Sequence, residues 1–266
     1  MKRVAWLTDI HLNFLSRPAL EAFLKRVRDQ RLDAVLVTGD IGEAGSVVPH
    51  LEAMESRLQV PVYFVLGNHD FYSGSIAGVR LAVEELARRS TNLYWLPLTG
   101  SIELAPATGL LGHDGWADAR LGDYGSSEVM LNDYLLIREF IGLGKGARRR
   151  LMQQLGDEAA DYVRRTLPTA LDSFRHVVLL THPPPFREAC WHEGRISADD
   201  WLPHFGCASV GEVLREIMGA RPDRRLTVLC GHTHSPGEAA ILPNLTVHTG
   251  RGVYGRPEVQ RILEVD

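Results

Sequence analysis

Five short apolar runs in this sequence each end at a side chain able to do chemistry. The run at 4–8 leads into Asp9 and His11, and the run at 34–38 into Asp40. The run at 62–66 leads into Asn68, His69 and Asp70, that at 177–181 into His182, and that at 227–230 into His232 and His234. Carboxylate, imidazole and amide groups are donors for divalent cations, and Mn, Fe, Zn and Mg all tolerate such a set. In Asp9-x-His11 and His232-x-His234, two side chains two positions apart leave the same side of an extended backbone. Asp40, Asn68 and His182 add one donor each, making seven. A single tetrahedral ion needs about four. Seven donors therefore suit two divalent ions that share a carboxylate, and Asp40, with two oxygens, is the natural bridge. Two-metal sites hold their cations roughly 3.5–4 Å apart, and a shared carboxylate offsets the repulsion. Each piece alone has an ordinary reading: Asp9 as a turn cap, Gly39-Asp40 as a strand-to-turn dipeptide, Asn68 as a turn residue, His182 as a solvent-facing group before three prolines. The recurrence at five strand ends carries the metal reading.

The elements that must position these groups follow from hydropathy. The apolar runs at 4–8, 34–38, 62–66, 110–112, 177–181 and 227–230 are short and nearly continuous, as strands covered on both faces are. Helical spacing of apolar residues marks 18–30, 79–89, 159–174 and 210–218. Alternating strands and helices make an α/β fold, in which ligands gather beyond the carboxyl ends of the strands. No linker or repeat divides the chain, so one domain over 1–266 is expected, with 114–150 and 183–209 as loop insertions near the active site. Within the first, 142–150 reads as a mobile excursion whose three arginines face solvent. Trp116, Trp191 and Trp201 sit in these segments, either walling the site or stapling loops to the body.

The 266 residues carry 29 basic and 33 acidic side chains, a net charge of −4. A protein coating nucleic acid usually shows a basic surplus, so a polyanion partner is disfavoured. No apolar run is long enough to span a membrane, and Asp9 interrupts the opening run too early for a signal peptide. Cys190, Cys207 and Cys230 have no CxxC spacing and read as buried thiols in a reducing compartment. A soluble cytoplasmic protein is the expectation.

The ordered set D-x-H, GD, GNHD, TH and GHTH, running from Asp9 to His234, resembles the calcineurin-like metallophosphoesterase superfamily. The resemblance implies a four-layer αββα sandwich of two mixed sheets flanked by helices, with a dinuclear site at the strand ends. Carried over by position, one ion is held by Asp9, His11, Asp40 and His234, and the other by Asp40, Asn68, His182 and His232. The resemblance also implies that His69 is a catalytic group near the leaving oxygen. Asp70 is then its expected partner, raising its pKa and making it a proton donor. The implied activity is hydrolysis of a small-molecule or nucleotide phosphomono- or diester, with hydroxide generated at the ions as nucleophile. Ile41-Gly42-Glu43-Ala44 after Asp40, and Asp70 after GNH, depart from the protein serine/threonine phosphatases, which place an arginine and a glutamate there. Two alternatives stay open: a nuclease of the same superfamily, using a basic groove at 148–150, and a non-catalytic scaffold. His113-Asp114 either walls the pocket or is a structural pair beneath a loop. His192, His204 and His248 read as surface or structural, and Arg251 more readily as a bystander than as a substrate contact.

Overall fold

A computed structural model describes residues 1–266. Strands β1 (Lys2–Leu7), β2 (Ala34–Thr38), β3 (Val62–Val65) and β4 (Leu93–Trp95) run parallel in one sheet. Helices α1 (Arg17–Arg28), α2 (Val47–Leu58) and α3 (Ile76–Arg89) form the crossovers between them. The second sheet is built from β5 (Ile102–Ala105), β6 (Thr108–Gly112), β7 (His176–Leu180), β10 (Arg225–Cys230), β11 (Gly237–Leu242) and β12 (Leu245–Thr249). Between β6 and β7 lie the short α4 (Asp133–Leu136) and the long α5 (Lys145–Ser173). Between β7 and β10 come the small hairpin of β8 (Trp191–His192) and β9 (Arg195–Ile196), the turn α6 (Leu202–Phe205) and the helix α7 (Ala208–Gly219). The last strand, β13 (Arg261–Val265), returns to the first sheet antiparallel to β1. Sheet orders are β13-β1-β2-β3-β4 and β11-β12-β10-β7-β6-β5, both mixed.

Strand alternation builds the layers. In β1, Val4 and Trp6 point at the other sheet while Ala5 and Leu7 point at the helices. In β7, Val178 and Leu180 face between the sheets, whereas Val177 and Leu179 meet α5 and α7. Three apolar clusters result, one under α1–α3, one between the sheets and one under α5 and α7. This is the αββα sandwich that the resemblance implied.

Two expectations about the insertions need correction. The stretch at 142–150 is not a mobile excursion, because α5 begins at Lys145 and runs 29 residues, well upstream of the expected 159. Gly144 caps it, the arginines that follow are good helix formers, and Met152, Leu155, Ala159 and Val163 bury one face. Arg148 is not left to solvent either, since its guanidinium lies 3.9 Å from the centre of the Tyr134 ring. Trp116 is a staple: it is buried and stacks on Phe140 at 5.5 Å. The three cysteines are free and buried, as expected.

Candidate metal centre

All seven expected ligands meet where the carboxyl ends of β1, β2, β3, β7 and β10 converge. Asp9, His11, Asp40, His232 and His234 have left-handed backbones, with φ of 47, 39, 55, 72 and 59°. Such conformations are strained for side chains with a Cβ and persist only where surroundings enforce them. Here the enforcing contacts are between loops: His11 N–H donates to the Asp40 carbonyl at 2.9 Å, and Asp9 N–H to the Gly39 carbonyl at 3.1 Å. Two motif glycines leave space for ligands. A Cβ on Gly67 would stand 2.2 Å from Asp40 Oδ1, and one on Gly231 would stand 2.0 Å from Asp9 Oδ2.

The donors form two groups sharing Asp40. In the first, one ligand atom each from Asp9, His11, Asp40 and His234 lie within 4.8 Å of one another. Asp40 Oδ2 is 3.7 Å from His11 Nε2, while Asp40 Oδ1 is 3.4 Å from His182 Nε2 in the second group. Burial, then the charges of Asp9 and Asp70, push the Asp40 carboxyl well above its usual range. Burial alone would raise Asp9 too, but its hydrogen bond and charge pairing with His234, helped by His182 and His11, hold it below.

The second group gives the sharper test of fit to a cation. His182 Nδ1 is 2.8 Å from the Thr38 carbonyl, an acceptor only, so that nitrogen carries the proton. Its Nε2 is then a bare lone pair, aimed at Asn68 Oδ1 from 3.0 Å. His232 repeats this from the other side, with Nε2 donating to the His204 carbonyl at 2.9 Å and Nδ1 bare at 2.9 Å from the same Asn68 oxygen. The amide cannot turn its NH₂ inward, because Nδ2 donates to Asp133 Oδ1 at 2.8 Å. Nor do the rings relieve the clash by taking a second proton, since burial lowers both and holds His182 at about 3. Lone pairs converge with no hydrogen to share, and a divalent cation fits that donor set.

His69 and Asp70 part company. His69 faces the cavity, 4.6 Å from the His11 ring, and its Nε2 lies 3.4 Å from the Tyr254 hydroxyl. Asp70 does not partner it. Asp70 Oδ1 accepts from the N–H groups of Ile41 and Gly42, and Oδ2 from Gly67, bracing the loops after β2 and β3. Without that carboxylate His69 is not raised: burial, then the neighbouring His11 and His234, push it down to about 2.

A cavity of about 240 Å³ opens over both groups, lined by Asp40, Asn68, His69, His232 and His234. Several of its walls were not foreseen: Tyr72, Asp133, Phe205 and Tyr254 also line it. None follows an apolar run, which was the signal that pointed to the expected ligands. His192 lines the cavity as well, and His204 is buried with its ring between Ser127 and Tyr134. His113-Asp114 is the structural pair, since Asp114 Oδ1 accepts from Leu66 N–H and Trp95 Nε1 beneath the loop. Arg251 is exposed and tied through its backbone to Gln260, away from the cavity.

Known proteins share this fold. No curated protein sequence matches the chain. Among solved structures, the fold is similar to a dimetal phosphatase from Danio rerio, at 15% identity and a TM-score of 0.60 over 96% of this chain and 89% of that one. It is also similar to the phosphopantetheinyl hydrolase of Mycobacterium tuberculosis, at 14% identity and a TM-score of 0.68 over 95% of this chain and 89% of that one. No helix is long and apolar enough to cross a membrane. The sequence profile described as calcineurin-like phosphoesterase matches residues 2–236, so the D-x-H to GHTH span and the strands that carry it are one family signature: the chain belongs to the calcineurin-like phosphoesterase family of metal-dependent phosphoric ester hydrolases.

Proposed function

We propose that this chain hydrolyses a small-molecule or nucleotide phosphomono- or diester with two divalent ions. One ion is assigned to Asp9, His11, Asp40 and His234, and the other to Asp40, Asn68, His182 and His232. The convergence of bare nitrogens from His182 and His232 on Asn68 Oδ1 is the observation that carries the assignment. Bound there, the ions supply Lewis-acid polarisation of phosphoryl oxygens and water of lowered pKa.

The chain's own groups do the rest. Asp40 lies between the two donor groups and joins them. Asp133 and Tyr72 lock the Asn68 amide so that its carbonyl oxygen faces inward. His69, neutral at pH 7, serves the leaving oxygen through a ring N–H rather than as an imidazolium, a use of neutral imidazole with precedent in isomerase chemistry. The Tyr254 hydroxyl at its Nε2 keeps the ring turned to the cavity.

The test is turnover of an aryl phosphate monoester and an aryl phosphate diester across added Mn²⁺, Zn²⁺, Fe²⁺ and Mg²⁺. Metal-dependent release of the aryl alcohol from at least one is expected. Failure on both with every metal would sink the hydrolase reading and revive the scaffold.

A further inference from the structure

The walls of the cavity narrow the substrate, on the premise that the site is a phosphoester hydrolase. One aromatic wall stands over each donor group. Above the first, the Tyr254 ring packs on His11 at 4.5 Å and on His234 at 5.2 Å, with Phe14 beside it at 4.8 Å. Above the second, Phe205 stands edge-on to His232 at 5.6 Å, and Trp201 lies 5.4 Å beyond Phe205. Three of these rings are held in solvent: Phe14 is 52%, Tyr254 47% and Trp201 40% exposed. Buried aromatics are among the largest contributors to folding, so an exposed Tyr254 in the cavity wall serves something other than the core.

The charge pattern adds a second constraint. No lysine or arginine lines the cavity, while Asp40 and Asp133 do. Away from the ions, nothing there neutralises a further phosphoryl group or a charged leaving group. Asn132, also in the wall, can both donate to and accept from the edge of a ring.

We propose that the site selects phosphoesters carrying one phosphoryl group on a flat, uncharged aromatic moiety, which stacks on the walls formed by Tyr254 and Phe205. A nucleobase and a simple aryl group share that chemistry.

The experiment compares kcat/KM of the Mn²⁺-loaded enzyme for adenosine 5′-monophosphate, glycerol phosphate, phenyl phosphate and ATP. Adenosine and glycerol both leave as aliphatic alcohols, so their ratio reads the ring rather than leaving-group chemistry. A preference of about tenfold or more for the nucleoside ester is expected, given what stacking contributes, and ATP is expected to be disfavoured. Phe205→Leu should lower the preference through KM, and Phe205→Tyr should restore it. The same Phe205 effect on phenyl phosphate but not on the nucleotide would identify the aryl source, which also supports the stacking walls. Equal efficiency on glycerol phosphate, or a Phe205→Leu loss common to every ester, would overturn the proposal. Calorimetric binding of adenosine to the metal-free protein separates the two readings. If it binds, and binds more weakly to the Phe205→Leu variant, while no ester is hydrolysed, then the hydrolase reading fails and the stacking walls stand.

Discussion

The two halves of the metal centre solve the same problem differently. In the half formed by Asn68, His182 and His232, each donor is fixed by a second partner: the Asp133 carboxylate, the Thr38 carbonyl and the His204 carbonyl. In the half formed by Asp9, His11 and His234, the imidazoles lack such backing: His11 Nδ1 is buried without a partner, and His234 pairs with Asp9 itself across 3.3 Å, while Asp9 also accepts from the Thr8 hydroxyl and the His232 N–H. Partners behind a ligand fix its tautomer and orientation, and losing one typically costs about 10–100-fold in metal affinity. The braced half is thus prepared for a cation and ill at ease without one. The self-paired half keeps an internal proton arrangement of its own. The lesson is that shared ligand types do not make equal sites; what stands behind the ligands does.

Asp40 is where the comparison breaks most completely. Removing the shared carboxylate in Asp40→Ala should release both ions, seen by elemental analysis, and cost several kcal/mol of transition-state stabilisation, about 10³ in turnover. Retention of both ions would refute the bridge. His69 belongs to neither half, and its backbone N–H, not its ring, bonds Asp40. His69→Ala should therefore keep both ions while turnover on poor leaving groups drops by about 10²–10³. Wild-type turnover would remove His69 from the chemistry.

Asp133→Ala tests the bracing itself. Equilibrium dialysis should show one ion bound about 10–100-fold more weakly and the other unchanged. Equal weakening of both would mean the halves are not independent. The subtlest difference is in how the metal-free halves titrate. Burial works against a proton on His234, but its hydrogen bond and charge pairing with Asp9 leave it raised above the usual 6.5. Its contribution to stability is therefore complete below 6.5 and lost as pH rises through the folded value. His182, held at about 3 by burial, behaves in reverse: its contribution is complete above 6.5 and lost as pH falls from there toward 3. Histidine ring shifts followed from about pH 8 to pH 5 should show a protonation step for His234 and none for His182. Steps in both rings would end the distinction.

The proposed ligands were legible because each follows a continuous apolar strand, and the local period of the backbone delivers it to the same edge. The αββα layering came through the resemblance and then through the alternation in β1 and β7. Asp70 misled because neighbours in sequence are not neighbours in space. His69 and Asp70 lie in a 3₁₀ turn, where successive side chains diverge by about 120°, and Asp70 turns inward to the loops. Asp133 and Tyr254 were invisible, since one reaches the cavity from the short α4 and the other from a turn, neither of which follows an apolar run. The start of α5 was missed because GLGKGARRR looks polar and loose until Tyr134 is placed beneath Arg148.

The left-handed backbones of Asp9, His11, Asp40, His232 and His234 set a standing conflict between durability and use. At each, glycine would relieve a conformation costing of order 1–3 kcal/mol, and each such exchange would remove a donor. The sequence changes that most readily harden the metal-free protein are thus the ones that silence it. Selection for stability alone would drift this fold toward an inert shell. That it still carries five strained residues at the proposed metal centre fits residues kept for what they bind rather than for what they hold together.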